Sequence, residues 1–398
     1  MASKAVAGGK KKKKVGGKGS KMSAKKKKGS AENEEEVLTL RKANLSKVKA
    51  AYPLQCKKFI SEPIQSVVKR IDKAVASIED IDKIIITSTS LTPSDIWSLY
   101  ETFESYKALV AVCLWTCPLD LRALEALAKF AVHHPTLTTL HLIDCRISPH
   151  MCTYLGTIAR ESKTLSTLVL DHNGIGAAGA VELFRGLQRN LFTNPEGVRV
   201  MRVLSLRYCD VGSKAAEVIA GTIETHNGLT FLDISGNAIG DEGLIPIAKG
   251  LAKNTALKTL NLSANNIQNR TGVLGEQAPL ALSPMLVSSR PTTNNVPHRP
   301  TSMAVLCSIL AAENTGLVYL DLTGNHVGAA GGQLVLEMLK LRKPLAAGKK
   351  CEALQVELTE RLGEELYGDV CDLNDVMDDL AKKNAKGAGK GKKGKKGK

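Results

Sequence analysis

The sequence predicts an α/β solenoid, a curved array of about eight repeats that each contribute one short strand and one helix. Three observations support this prediction. A pattern of apolar residues recurs at a 28-residue interval, 43% of the 398 residues are apolar, and only 4% are aromatic. A chain rich in Leu, Ile, Val and Ala but poor in rings is typical of many similar small layers.

The repeat is clearest in the segment LSTLVLDHNGIG, which begins at Leu165. It places apolar residues at 165, 168, 170 and 175, with Asn173 between the last two. Similar frames begin at residues 81, 109, 137, 165, 201, 229, 257 and 317. Five of the seven spacings are therefore 28 residues, and the others are 36 and 60. Twenty-eight residues have room for a strand and a helix of about three turns.

Each repeat is expected to place its LxxLxL side chains inward from a parallel strand. The Asn or Cys that follows can satisfy backbone groups where the chain turns away. A helix comes next, and in the frame from Leu229 it carries an apolar stripe at i, i+3, i+4 and i+7, formed by Leu244, Ile247, Ala248 and Leu251. This stripe is expected to pack against the sheet.

These frames resemble the ribonuclease-inhibitor-like subclass of leucine-rich repeats, which ribonuclease inhibitor, the Ran GTPase-activating protein, tropomodulin and several axonemal proteins share. The resemblance covers residues 81 to about 340. It implies a horseshoe-shaped solenoid that binds protein partners and is not an enzyme. Because a fold can serve many functions, the function has to be argued from the residues.

The chain is predicted to divide into five parts. These are an unstructured Lys-rich tail at 1–31, a helical cap at 32–80, the solenoid at 81–341, an acidic helical cap at 342–381 and a second unstructured Lys-rich tail at 382–398. In the first cap, Ser61 is expected to be the N-cap of a helix and Pro63 to lie in its first turn. Within the second, residues 352–380 are expected to be helical throughout.

Two insertions interrupt the repeats. The spacing of 36 adds eight residues near 190–199, between a helix and the next strand, and the spacing of 60 adds a Pro-rich segment at 269–300, between a strand and the next helix. We expect the longer insertion to be a flexible surface loop. The alternative is a docking or phosphorylation segment at 279–287.

The net charge of +16 is carried by the two tails. Residues 1–31 hold 12 Lys and residues 382–398 hold 9, with no acid in either, whereas residues 32–381 hold 34 basic and 39 acidic residues, a net charge of −5. We therefore expect the tails to bind polyanions such as tubulin tails or nucleic acid in a salt-dependent way. The residues concerned are Lys10, Lys11, Lys12, Lys13, Lys14, Lys25, Lys26, Lys27, Lys28, Lys392, Lys393, Lys395 and Lys396.

The sequence contains no pattern that predicts catalysis, a cofactor or a metal. GIGAAG at 174–179 fits a dinucleotide fingerprint, but IGDEG from Ile239 and VGAAGG from Val327 show that these glycines belong to a recurring turn. Nine cysteines are an odd number in a chain without a secretory signal, which favours a reducing compartment. No membrane span is predicted.

A candidate protein-binding site lies on the predicted concave face, where the strand residues between the leucines point outward. Trp, Tyr and Arg are the side chains that most often anchor interfaces. The alternative is that the rings fill gaps beneath flanking repeats. The predicted contact residues are Trp115, His141, Asp144, Asp171, His172, Arg207, Tyr208 and Asp233, and Thr116, Asn261 and Asp321 occupy similar positions.

Three functions are compatible with these features. The first is a non-enzymatic cytoplasmic scaffold of the cytoskeleton, in a cilium or flagellum, whose Lys tails contact microtubules. The second is a nuclear or nucleolar assembly factor whose tails hold RNA or chromatin. The third is a regulator of a small GTPase, which the resemblance to the Ran GTPase-activating protein implies; no catalytic residue can be transferred on that basis. The oligomeric state is not predicted.

Overall fold

The computed structural model describes residues 20–190, 200–269, 300–359 and 361–391. The predicted insertions at 190–199 and 269–300 lie almost entirely outside these ranges, as do residues 1–19 and 392–398. None of the helices in the described ranges combines the length and the apolar character that a membrane span requires.

Strands and helices alternate along the chain. The strands are β1 (Lys83–Thr87), β2 (Ala111–Trp115), β3 (Thr139–Ile143), β4 (Thr167–Val169), β5 (Val203–Ser205), β6 (Phe231–Asp233), β7 (Thr259–Asn261), β8 (Tyr319–Asp321) and β9 (Gln355–Glu357). The described α-helices are α1 (Ser20–Phe59), α2 (Gln65–Ser77), α3 (Pro93–Phe103), α4 (Leu121–His133), α5 (Cys152–Glu161), α6 (Gly176–Arg189), α7 (Ala216–Thr225), α8 (Gly240–Ala252), α9 (Ser302–Ala312), α10 (Gly328–Ala347) and α11 (Glu364–Gly391).

The nine strands form one parallel sheet in chain order, from β1 to β9. Paired residues are 28 apart along the chain at five of the eight junctions, as in Lys83 opposite Ala111. They are 36 apart at β4–β5 and β8–β9, and 60 apart at β7–β8. The register reproduces the predicted frame spacings, so the α/β leucine-rich-repeat solenoid is confirmed.

A row of buried asparagines ties neighbouring repeats together. The Asn173 Oδ1 accepts the N–H groups of Cys145 and Ile147, each at 3.0 Å, and its Nδ2 donates to the Leu142 carbonyl at 2.7 Å. Equivalent contacts are made by Asn237, Asn265 and Asn325. Because each amide satisfies backbone groups of two repeats, the row fixes the distance between layers.

Cysteines replace asparagine in this row at Cys117, Cys145 and Cys209. Their thiols donate to carbonyl oxygens of the preceding repeat, as Cys209 Sγ does to Leu170 at 3.2 Å. A thiol is a weak donor and a weak acceptor. These repeats are therefore held together by weaker polar contacts than the asparagine repeats.

A second polar row lies where the helices lead back to the strands. The buried His134 bonds through Nε2 to the Phe103 carbonyl at 3.0 Å, and Asn314 donates from Nδ2 to the Leu251 carbonyl at 2.7 Å. Asn190 and Asn254 occupy the same position in their repeats. Carbonyl groups at helix ends, which lack partners within the helix, are thereby satisfied.

The C-terminal end of the solenoid closes on a buried arginine. The Arg342 guanidinium is 0% exposed and donates from Nη1 to the carbonyls of Leu310 and Asn314, at 2.5 and 2.6 Å. Its Nη2 donates to Leu317 and Glu352. A cation at the C-terminus of α9 is favoured by the helix dipole, which offsets part of the cost of burying the charge.

The predicted C-terminal cap was wrong in one respect. We expected residues 352–380 to be helical throughout, but they begin with the ninth strand, and α11 starts only at Glu364. Ala353, Val356 and Leu358 are buried in the inward positions of this strand. The frame escaped recognition because Ala and Val replace two of its leucines and no asparagine follows.

The predicted N-terminal cap also differs at its start. Helix α2 begins at Gln65, so Ser61 is not its N-cap, and the Ser61 hydroxyl lies 2.9 Å from that of Ser98 instead. The apolar stripe is present, with Val67 and Ile71 buried. Pro63 precedes the helix because the chain first has to leave α1.

The helices extend into the segments that were expected to be unstructured. Helix α1 begins at Ser20 and α11 ends at Gly391, so the structure differs from the prediction over 20–31 and 382–391. Ala, Lys, Glu and Met are strong helix formers, and a helix already anchored by packing propagates at little cost. The anchor of α1 is its buried segment from Leu45 to Cys56.

A candidate protein-binding surface on the sheet

The strand side chains that alternate with the buried leucines point away from the helices, and we call this side of the sheet the concave face. In β3, Leu140 and Leu142 are buried, whereas Thr139, His141 and Ile143 are partly exposed. The eight predicted contact residues all lie on this face or on its rim, where the strands end. Side chains along this side of the sheet form three groups with different chemistry, and only some of the predicted residues belong to them.

The first group is an apolar patch at the N-terminal end of the face, formed by Ile85 and Trp115. The exposed fractions are 39% and 37%. Ile85 pairs with Cys113 across β1 and β2, and Trp115 pairs with Thr87. Sequence reasoning identified Trp115 but missed Ile85, although the same strand rule applied to the first frame would have found it.

The second group is an aromatic stack on the rim. The rings of His172 and Tyr208 lie 5.1 Å apart with an interplanar angle of 16°, and Tyr208 is 48% exposed. Both residues have positive φ, 59° and 50°, as do Ser88, Thr116, Asp144, Gly236, Ala264 and Gly324 at the same position of their repeats. This repeated left-handed turn aligns the rim side chains in one row.

Gly236 leaves the space in which the Tyr208 ring lies. A Cβ on Gly236 would come within 2.3 Å of Tyr208 Cδ1. The stack therefore rests on a glycine that also needs its positive φ of 68°. Tyr208 thus packs over the next repeat, as the alternative interpretation expected, and it also keeps 48% of its surface open to solvent, where a partner could contact it.

Two of the predicted carboxylates are used within the sheet. The Asp171 Oδ1 accepts hydrogen bonds from the Ser205 hydroxyl at 2.6 Å and from the Arg207 N–H at 3.0 Å. The Asp233 Oδ1 accepts the Ser235 N–H at 3.0 Å. Both carboxylates are buried, so they position neighbouring residues rather than meet a partner directly.

Arg207 and Asp144 are the exposed charges of this central region. The Arg207 Nε lies 3.9 Å from the Asp233 Oδ2, and about half of its side chain is open to solvent. Exposed ion pairs contribute little to stability, which leaves the guanidinium available to a partner. Burial, and then the charge of Lys83, lower the pKa of His141, which favours its neutral form.

The third group is acidic and lies on the C-terminal strands. Asp321 and Glu357 follow Asp233 and Asn261 at the same strand position. Glu357 was missed because the ninth strand was not recognised. The face therefore changes along the chain from apolar, through an aromatic stack, to acidic.

Four buried cysteines of the solenoid have thiols with raised pKa values. Burial raises the pKa of the Cys145, Cys152, Cys209 and Cys307 thiols to about 12. A buried thiol with a high pKa is a poor nucleophile. Among the residues that the structure describes, no group of three or more His, Cys, Asp or Glu side chains could hold a metal ion.

The predicted polyanion-binding lysines are only partly within the described ranges. Lys25, Lys26, Lys27 and Lys28 lie in the first part of α1. Residues 10–14 and the lysines from 392 to 396 lie outside the described residues. For these segments, the binding of polyanions stays a prediction from the sequence.

Comparison with known proteins agrees with this architecture. A family described as "Leucine Rich repeat" matches residues 161–184, 227–248, 253–270 and 313–336. Ribonuclease inhibitor from Sus scrofa is 26% identical over 279 residues, which are 70% of this chain and 52% of the relative. NACHT, LRR and PYD domains-containing protein 12 from Homo sapiens is 31% identical over 145 residues, 36% of this chain and 13% of the relative.

The chain thus spans about half the length of the first relative and a small part of the second. Among solved structures, the leucine-rich repeat-containing protein LegL7 from Legionella pneumophila is 15% identical, with a TM-score of 0.37, and covers 73% of this chain and 98% of its own.

The repeated strand, turn and helix, with one face of the sheet left uncovered by helices, define the class as a leucine-rich-repeat solenoid. The chain contains leucine-rich repeats, and its repeat architecture is similar to that of ribonuclease inhibitor.

Proposed function

We propose that this protein is a non-enzymatic scaffold of the cytoskeleton that holds a protein partner on the concave face and contacts an acidic polymer through its Lys-rich end segments. The observation that carries the proposal is the separation of charge. Residues 1–31 and 382–398 contain 21 lysines and no acid, while residues 32–381 have a net charge of −5.

This separation assigns the two binding tasks to different parts of the chain. An acidic solenoid is repelled by a polyanion, so only the end segments can hold it. Neither segment contains an aromatic residue, which removes the base stacking used by single-strand nucleic-acid binders. Tubulin tails are acidic, and a lysine-rich segment matches them in charge without needing a fixed geometry.

The partner on the concave face is expected to carry apolar or aromatic side chains opposite the apolar patch and the His172–Tyr208 stack. Rigid aromatic side chains are frequent anchors of interfaces. Basic side chains of the same partner would face Asp321 and Glu357. Charge complementarity of this kind fixes the orientation of a partner along the sheet.

Cosedimentation of the purified full-length protein with microtubules tests the proposal. We expect binding at low ionic strength that weakens more than about tenfold as salt approaches physiological concentration. A variant with Lys→Gln at the lysines of 10–14, 25–28 and 392–396 should lose binding. The matched control, with Lys→Arg at the same positions, keeps the charge and should bind normally.

Two outcomes would count against the proposal. One is that the Lys→Gln variant cosediments as well as the unmodified protein. The other is that RNA at equal charge concentration displaces the protein from microtubules completely while microtubules do not displace it from RNA, which would favour the nuclear assembly factor.

Imaging of the tagged full-length protein tests where it acts. We expect it along a cilium or flagellum, because proteins with similar repeats include axonemal ones. A nuclear signal that disappears when the lysines of residues 1–31 are changed to Gln would support the nuclear alternative instead.

A further inference from the structure

Helix α1 lies along the first end of the solenoid and extends past one edge of the sheet. The Arg41 Nε donates to the Asp80 Oδ2 at 2.8 Å, just beyond the end of α2. At the start of α2, the Ile64 N–H donates to the Tyr52 hydroxyl at 3.0 Å, so the two helices are antiparallel. Asp80 lies just before β1, at the edge where helices lead back to strands, which we call the return edge. The part of α1 before Arg41 therefore projects past the return edge.

This projecting part of α1 is long and open to solvent. Residues 34–40 are all exposed, and from there onward burial begins at Leu45. From Arg41 back to Ser20 the helix rises by about 31 Å, at 1.5 Å per residue. The projecting part can therefore carry its lysines well away from the solenoid. They are Lys21, Lys25, Lys26, Lys27 and Lys28.

Helix α11 projects past the same edge at the other end of the solenoid. The Asn374 Nδ2 donates to the Val356 carbonyl in the middle of β9, at 2.8 Å. Ten residues later, the Asn384 Nδ2 donates to the Ala346 carbonyl at 3.2 Å. Ala346 lies at the end of α10, from which the chain leads back to β9. Residues 385–391 of α11 therefore lie past the return edge.

The two helices carry the same order of charges. In α1, five lysines at 20–31 are followed by four glutamates at 32–36. In α11, seven acids at 364–379 are followed by four lysines at 382–391, of which Lys382 pairs with Asp378. The lysines of both helices are thus farther from the solenoid than the acids. We call residues 20–31 and 382–391 the basic tips, and a polyanion is attracted to them and repelled by the acids behind them.

The two basic tips are far apart. The strands β1 and β9 are the first and last of nine, so eight intervals of about 4.8 Å separate them by about 38 Å along the sheet. The Debye length at physiological ionic strength is about 8 Å. Charges held at one tip are therefore screened from those at the other, and each tip can bind its own stretch of a polymer.

We propose that the basic tips of α1 and α11 hold one acidic polymer at two separate points, on the return-edge side of the solenoid. Because both helices project past the same edge, a single polymer can reach both. The polymer then lies beside the ends of the strands and leaves the concave face open for the protein partner. The inference rests on the proposed function, which takes the lysines as the polymer contact, and adds that the two segments act together.

Two linked contacts bind a long polymer more tightly than either contact alone. Once one tip is bound, the other binds as part of the same complex, which raises affinity by about 10²–10⁴ where the geometry allows both contacts. The gain disappears on an acidic molecule that is too short to reach from one tip to the other. Six glutamates span at most about 22 Å, which is less than the separation of the tips.

Binding of the full-length protein to microtubules and to hexaglutamate tests the proposal. Two variants each lose one contact, with Lys→Gln at all lysines of 1–31 or at all lysines of 382–398. In cosedimentation with microtubules at low ionic strength, each variant should bind at least about 100-fold more weakly than the unmodified protein. In fluorescence anisotropy with labelled hexaglutamate, each should stay within about fivefold of it, because one tip is enough. The matched Lys→Arg variants keep the charge and should bind normally in both assays.

The outcomes separate this inference from the proposed function. If the unmodified protein does not bind microtubules, both fail. If it binds but either Lys→Gln variant binds equally well, only the two-point contact is refuted. An equal loss of affinity for hexaglutamate and microtubules refutes it too, since the lysines would then form a single site, and so does bundling of microtubules, since the tips would then hold different polymers. Weak binding of both variants to microtubules, with near-normal binding to hexaglutamate, supports it.

Discussion

Replacing Asn237 with Ala should destabilise the solenoid far more than its small change in volume suggests. The Asn237 Oδ1 accepts the N–H groups of Cys209 and Val211, at 2.9 and 3.2 Å, and its Nδ2 donates to the Leu206 and Ile234 carbonyls, at 2.7 and 2.9 Å. Each buried donor left without an acceptor costs about 1–3 kcal/mol. The two orphaned N–H groups alone therefore predict a loss of about 2–6 kcal/mol.

Cys209→Ala is the matched control because Cys209 occupies the same row in the preceding repeat. The Cys209 thiol makes a single weak hydrogen bond to the repeat before its own, to the Leu170 carbonyl. We therefore expect a loss of about 1 kcal/mol in the free energy of unfolding. Urea denaturation of the full-length proteins, followed by circular dichroism, gives both values. If the losses in the free energy of unfolding caused by Asn237→Ala and Cys209→Ala differ by less than about 0.5 kcal/mol, the asparagine amides do not hold the repeats together more strongly than the thiols do.

Three further predictions follow from single sites. Gly236→Ala forces a Cβ into the Tyr208 ring at a positive φ, so it should lower the melting temperature, at a cost of about 1–3 kcal/mol, and change tyrosine fluorescence. Arg342→Met leaves four carbonyls without a donor and should cost about 2–4 kcal/mol, with amide exchange accelerating in α9 and α10. Burial lowers the pKa of His134 in the folded protein. The stability contributed by the neutral side chain is therefore complete above about pH 6.5 and falls as the pH drops towards the folded pKa. His134→Asn should flatten this pH dependence in urea denaturation measured at several pH values.

The frame spacings could be predicted from the sequence because the apolar residues that must face the core occupy the same strand positions in every repeat. Pairing these positions between neighbouring strands sets the register of the sheet. An aliphatic residue at each inward position, most often Leu, and in most frames an Asn or Cys after it are local signals. The pairing of Thr167 with Val203 shows that these signals remain recognisable across an insertion. The ninth strand lacked both signals. Asn374, from a helix 18 residues further on, supplies the amide that bonds to its backbone, and such a contact has no local pattern.

The candidate site was predictable only in part, since exposure depends on neighbours in other repeats. Strand position placed Trp115, Arg207 and Tyr208 on the face, and they are exposed there. The same rule placed Asp171 and Asp233 on the face, but hydrogen bonds from adjacent repeats bury both carboxylates. The His172–Tyr208 stack depends on a glycine one repeat later, which a residue-by-residue interpretation of the strands does not consider.

The differences between the two ends of the solenoid are connected. The asparagine row is complete in the frames of Asn237, Asn265 and Asn325, where the sheet face is acidic and the last edge is closed by α11. Cysteines occupy the row at Cys117 and Cys145, near the exposed apolar side chains of Ile85 and Trp115. Because each repeat contacts only its neighbours, stability in a solenoid is local, and the N-terminal repeats gain the least from their own polar contacts.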